Sequence, residues 1–184
     1  MQNKKPALFL DRDGVINIEK NYVYKIEDFI FIDGIFELIK TAKSRGYYVI
    51  VITNQAGIAR GYYSDEDFHI LNNWMLNYLQ LKESGIDKVY YCPHHPQYGR
   101  GLYKKDCPNR KPNPGMILDA VKDFNIDVRK SILIGDKQTD IDAGFNAKVG
   151  KNIFFGNPLN IDFESSFLSV NNLQAVQDFL IGHK

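Results

Sequence analysis

The segment Ala7-Leu8-Phe9-Leu10-Asp11-Arg12-Asp13-Gly14 constrains this chain more than any other, because an unbroken apolar run stops abruptly at two aspartates one residue apart. Apolar residues followed by a turn signal predict a strand buried on both faces, and such strands belong to parallel sheets sheltered by helices. Residues i and i+2 of an extended chain point the same way, so both carboxylates project from the carboxyl end of this strand to one side. Ligands of open α/β sheets bind at that end. Two like charges held so close repel unless a cation or a shared proton compensates them, which predicts a divalent metal, an acid–base couple, or both. An EF-hand loop would need an oxygen ligand at its fifth position and Glu at its twelfth, where this chain has Val15 and Tyr22.

The rest of the chain repeats the theme. Asp33 and Gly34 precede an amphipathic run from Ile35 to Arg45 that stops at Gly46, the grammar of a capped helix. Tyr47 to Ile52 reads as a second buried strand, ending at Thr53-Asn54-Gln55. Ser64 to Asp67 has the form of a capping box, with Phe68, Leu71, Met75, Tyr78 and Leu79 at helical spacing behind it. Lys88 to Cys92 is a third strand, and the stretch from Pro93 to Pro114 is a long loop of the kind compact domains keep when it has work to do. Asn113-Pro114 predicts an N-cap with proline at the first helical position, opening a helix through Phe124. Ser131 to Gly135 is a fourth strand ending at Asp136, followed by a helix from about Thr139 to Ala147, a strand over Asn152 to Phe155 and a last helix near Leu173 to Ile181. Alternating strands and helices predict an α/β fold with a doubly wound parallel sheet.

At 184 residues and 44% hydrophobic content the chain can bury a full core, so 1–184 is expected to be a single domain. Its 23 basic and 22 acidic side chains leave a net charge of +1, which predicts neither a nucleic-acid nor an anionic-membrane partner. The apolar run behind the amino terminus is too short for a signal peptide or a membrane span, so a cytoplasmic location is expected, and a monomer with it. Both cysteines, Cys92 and Cys107, fall in the one long loop, unlike a disulfide framework.

In a parallel sheet, Asp11, Asp13, Thr53, Lys111, Asp136 and Asp140 converge on one edge, the set that phosphoryl transfer needs. In order along the chain they resemble the four motifs of the haloacid dehalogenase superfamily: DxDG at Asp11 to Gly14, Thr53, Lys111, and GDxxxD from Gly135 to Asp140. Tyr22-Val23, the run Thr53 to Gly61, Cys92-Pro93-His94-His95-Pro96 and Arg110-Lys111-Pro112 resemble more narrowly the D-glycero-D-manno-heptose 1,7-bisphosphate phosphatases, a family that shares its loops with histidinol-phosphate phosphatases. The resemblance implies a Rossmann-like haloacid dehalogenase fold without a large cap domain. It also implies a Mg²⁺-dependent phosphatase that removes the 7-phosphate of a sugar bisphosphate in nucleotide-heptose and lipopolysaccharide biosynthesis.

By that resemblance Asp11 is the nucleophile of an aspartyl-phosphate mechanism, with Asp13 protonating the leaving oxygen and later activating water. Mg²⁺ is held by Asp11, the Asp13 backbone carbonyl and Asp136, while Asp140 supports Lys111 or a metal-bound water. Thr53 and Lys111 stabilise the phosphoryl oxygens; Asn54, Gln55, Arg60 and Arg110 are the further substrate-binding residues, Arg110 gripping the distal phosphate. Cys92-x-His94 and Cys107-x-Asn109 have the two-pronged spacing of a structural zinc site over 92–109. The family usually has cysteine where this chain has Asn109, so the fourth Zn²⁺ ligand falls to water, His95 or Asn109 itself, or the loop is ordered by its prolines alone. A phospho-receiver signalling domain, the leading non-enzyme alternative, would need its acceptor aspartate after the third strand, where Cys92-Pro93-His94 stands instead. Histidinol-phosphate phosphatase is the alternative within enzymes.

Overall fold

The structure is a computed structural model that describes residues 4–157 and 167–182. Six strands form one sheet: β1 (Ala7–Leu10), β2 (Tyr48–Asn54), β3 (Lys88–Cys92), β4 (Ile132–Gly135), β5 (Lys151–Phe155) and β6 (Leu168–Val170). Their spatial order is β3-β2-β1-β4-β5-β6 and every pairing is parallel. The order reverses between β1 and β4, which opens a crevice at the carboxyl ends of those two strands.

The four residues of β1 are fully buried and serve two cores by alternation. Leu8 and Leu10 pack with α1 (Ile35–Ser44), α3 (Asp65–Leu81) and α6 (Leu173–Gly182), whereas Ala7 and Phe9 pack on the other face with α4 (Gly115–Phe124) and α5 (Gln138–Asn146). A strand covered on both sides has no polar positions until it leaves the sheet, which is why Asp11 and Asp136 mark the ends of β1 and β4. Every described strand belongs to this sheet, and what lies at its carboxyl edge is loop and short helix, with no large cap domain among the described residues. None of the described helices is long and apolar enough to cross a membrane.

Several boundaries differ from the sequence reading. The helix predicted from Pro114 begins at Gly115 with Pro114 as its N-cap, because Asn113 turns its amide to the Cys107 carbonyl, 3.0 Å away, instead of capping. The cap of α1 is Gly34 in the left-handed region (φ 86°), not the side chain of Asp33. A five-residue helix, α2 (Ala56–Arg60), and the short edge strand β6 carry too few residues to show a period and were not foreseen. The capping box is present: Ser64 Oγ accepts from the Asp67 amide at 3.1 Å and Asp67 Oδ2 accepts from the Ser64 amide at 2.8 Å. Ser64→Ala is expected to cost about 1 kcal/mol in urea unfolding with an unchanged denaturant slope.

Candidate active site

Polar side chains gather where β1, β2 and β4 leave the sheet, around a cleft of about 430 Å³ lined by Asp11, Asp13, Thr53, Arg110, Lys111 and Asp140 among others. Lys111 is its electrostatic centre. Its buried ammonium donates to the Ile52 carbonyl at 2.9 Å and forms ion pairs with Asp11 Oδ1 at 2.9 Å and Asp140 Oδ1 at 2.6 Å. Burial opposes the Lys111 charge, but the two carboxylates outweigh it and hold the amine protonated well above the usual lysine range. Asp140 also accepts from the Lys137 amide at 3.0 Å, which caps α5 and leaves this carboxylate supporting Lys111.

Asp11, Asp136 and Asp140 bring carboxylate oxygens within 4.8 Å of one another. Burial, against the pull of Lys111, raises the Asp11 carboxyl to about 6. Burial and the neighbouring Asp11 charge raise Asp136 to about 8. Asp136 Oδ1 is buried and meets no hydrogen-bond donor among the described residues. An unpaired carboxylate oxygen facing a second carboxylate fits a hard divalent cation. Gly14 makes room for it: its φ is +95°, and a Cβ there would lie 2.1 Å from Asp136 Oδ2.

Asp13 is held apart from this charge cluster. Its carboxylate accepts from the Arg12 guanidinium at 2.8, 2.9 and 3.2 Å, from Asn17 Nδ2 at 3.1 Å and from Gln55 Nε2 at 3.1 Å. Arg12 is 1% exposed, also donates to the Val23 carbonyl at 2.7 Å, and lies over the Phe68 ring. Sequence reasoning passed over Arg12 and Asn17, although an arginine between two buried acids was the available signal.

The substrate-binding set divides. Thr53, Asn54, Gln55, Arg110 and Lys111 all line the cleft, and Arg110 is steadied by donating to the His94 carbonyl at 3.0 Å. Asn54 clasps the Lys111 backbone, accepting from its amide at 3.0 Å and donating to its carbonyl at 3.1 Å, so both ends of its amide are used on protein. Gln55 is 1% exposed and likewise saturated by protein partners. Arg60 lies outside the cleft lining with its guanidinium stacked 4.3 Å from the Tyr98 ring centre, because it ends α2 on the side facing the long loop. Lys137, next to Asp136, and Glu19, which the sequence reading did not single out, join the cleft rims by an ion pair of 3.0 Å, and Asn21 and Tyr22 beside them have φ of 59° and 69°.

In the long loop, Cys92, His94 and Cys107 converge with donor atoms within 4.8 Å, and Cys92 Sγ lies 3.8 Å from His94 Nδ1. Burial raises the Cys92 thiol to about 12. Asn109 is engaged elsewhere: its Nδ2 donates to Asp119 Oδ2 on α4 at 3.0 Å. The Nδ1 of His95 accepts from the Gln97 and Tyr98 amides.

This sheet order, with acids at the ends of β1 and β4 and a buried lysine between them, defines a phosphatase of the haloacid dehalogenase (HAD) superfamily, and residues 108–150 match the HAD-hydrolase-like family model. The chain is 56% identical over 147 residues to the D-glycero-alpha-D-manno-heptose-1,7-bisphosphate 7-phosphatase of Burkholderia mallei, covering 80% of this chain and 78% of that protein. It is 44% identical over 182 residues to the D-glycero-beta-D-manno-heptose-1,7-bisphosphate 7-phosphatase of Photorhabdus laumondii, covering 97% of each. The crystal structure of D,D-heptose 1,7-bisphosphate phosphatase from B. bronchiseptica, complexed with magnesium and phosphate, superimposes with a TM-score of 0.85 at 25% identity, over 96% of this chain and 98% of that one. The chain belongs to the D-glycero-D-manno-heptose-1,7-bisphosphate 7-phosphatase family. Gly14→Ala is expected to cost about 1–3 kcal/mol through its strained φ and, by displacing Asp136, to abolish phosphate release while the circular dichroism of the fold persists.

Proposed function

We propose that the chain hydrolyses the 7-phosphate of D-glycero-D-manno-heptose 1,7-bisphosphate and leaves the 1-phosphate in place for nucleotide activation. The observation that carries this reading is the unpaired Asp136 oxygen beside Asp11 and the Lys111 ammonium, a site with charges set for a phosphoryl group and a cation. Asp11, the Asp13 backbone carbonyl and Asp136 would hold Mg²⁺, as the relative's magnesium complex supports. When bound, the ion neutralises charge on the transferring phosphoryl group.

Asp11 attacks phosphorus, forming the Asp11 O–P bond as the bond from phosphorus to the sugar oxygen breaks, and Asp13 gives that oxygen a proton. In the second step Asp13 takes a proton from water, which attacks phosphorus and releases Asp11 and inorganic phosphate. Lys111 acts as a fixed charge between Asp11 and Asp140, while Thr53 donates to a phosphoryl oxygen. Arg110, pinned by the His94 carbonyl, faces the remaining phosphate. Asp11→Asn should fold and release no phosphate; a folded Asp11→Asn that still turned over would refute the nucleophile. Faster turnover of histidinol phosphate than of the heptose bisphosphate would move the protein to that substrate.

Cys92 at the end of β3 and His94 and Cys107 in the long loop hold Zn²⁺ in this reading, within one domain spanning residues 1–184. With Asn109 tied to Asp119, the fourth position is left to water and the ion is easily stripped. Mild chelation should remove the zinc and raise KM for the bisphosphate, as Arg110→Ala should, because His94 places Arg110. A full equivalent of zinc that survives chelation would show that a fourth protein donor completes the site.

A further inference from the structure

Gln55 follows Thr53 at the end of β2 and, at 1% exposure, presents nothing to solvent. Its Nε2 donates to Thr53 Oγ1 at 2.8 Å and to Asp13 Oδ2 at 3.1 Å, and its Oε1 accepts from the Tyr63 hydroxyl at 2.5 Å. Both amide protons are therefore spent on protein. This way round the amide turns its N–H groups to the Thr53 and Asp13 oxygens and its oxygen to the Tyr63 hydroxyl, which is the donor at that end. Burial keeps Tyr63 a phenol by raising it far above the ordinary tyrosine range.

Tyr63 is itself fixed. Its ring stacks on Tyr24, with centroids 5.1 Å apart and planes 8° off parallel, and presses on Gly57 so closely that a Cβ there would lie 2.1 Å from Tyr63 Cε1. The chain of contacts runs from a clamped aromatic ring, through one amide, to both groups that handle the substrate.

We propose that Gln55, oriented by Tyr63, is the positioning residue that aims the Asp13 carboxyl at the leaving oxygen and turns the Thr53 hydroxyl proton outward to the phosphoryl group. Because Thr53 Oγ1 already accepts from Gln55, its own hydrogen is free to donate into the cleft. The assignment rests on the reading of Asp13 as the acid–base group.

The test compares the heptose bisphosphate, whose alkoxide must be protonated as it leaves, with para-nitrophenyl phosphate, whose leaving group needs no proton. Asp13→Asn calibrates the contrast by losing far more on the sugar ester. Gln55→Leu is expected to lower kcat about 100-fold on the sugar ester and about tenfold or less on the aryl ester, with KM nearly unchanged. Tyr63→Phe keeps the ring stack and so the fold, and should lower kcat about tenfold with the same preference. Equal slowing of both esters by Gln55→Leu, or a raised KM at constant kcat, overturns the assignment, as does a Tyr63→Phe enzyme identical to wild type. If Asp13→Asn itself shows no contrast between esters, the acid–base reading falls and takes the positioning role with it.

Discussion

The ammonium of Lys111 is the interaction on which the rest of the site depends. It binds a carboxylate at the end of β1, a carbonyl of β2 and a carboxylate of α5, so one charge joins the three elements that surround the crevice. Buried acids would otherwise repel and take up protons. Removing one partner of such a set leaves an uncompensated buried charge, which costs far more than the set contributes to folding. The geometry is insured twice over, since Asn54 holds the Lys111 backbone at both its N–H and its C=O.

Around that centre the structure separates two kinds of carboxylate. Asp11 and Asp136 bring their oxygens together, as the proposed cation site requires, whereas Asp13 is set apart among the donors of Arg12, Asn17 and Gln55. Acids only two positions apart in the chain thus come to differ in environment, which is how a single fold assigns opposite tasks to the same side-chain type.

Much of this was legible in the sequence because burial on both faces forces β1, β2 and β4 to be apolar until they leave the sheet, so their first polar residues mark the site. Side-chain direction was not legible. Asn54, Gln55 and Arg60 fall in one short stretch from the end of β2 to the end of α2, yet one grips a backbone, one supports an acid and one stacks on a tyrosine, and only three-dimensional neighbours distinguish them. Arg12 was passed over because as a residue type it predicts exposure; its burial follows from carboxylate and carbonyl partners brought to it by the turn after β1. The helix start at Gly115 slipped by one residue because the Asn113 amide donates to the Cys107 carbonyl instead of offering its oxygen to the first-turn N–H groups.

A parallel sheet of six strands has two open edges, and each unpaired edge is a template on which another chain can build. Here β6 offers only Leu168 to Val170, too little backbone to seed a stable ladder. At the opposite edge β3 begins with Lys88, whose ammonium is paired to Asp123 on α4, so an incoming strand would have to displace or bury a solvated ion pair. The architecture that gathers the chemistry at one end of the sheet therefore also discourages strand-to-strand aggregation along its sides.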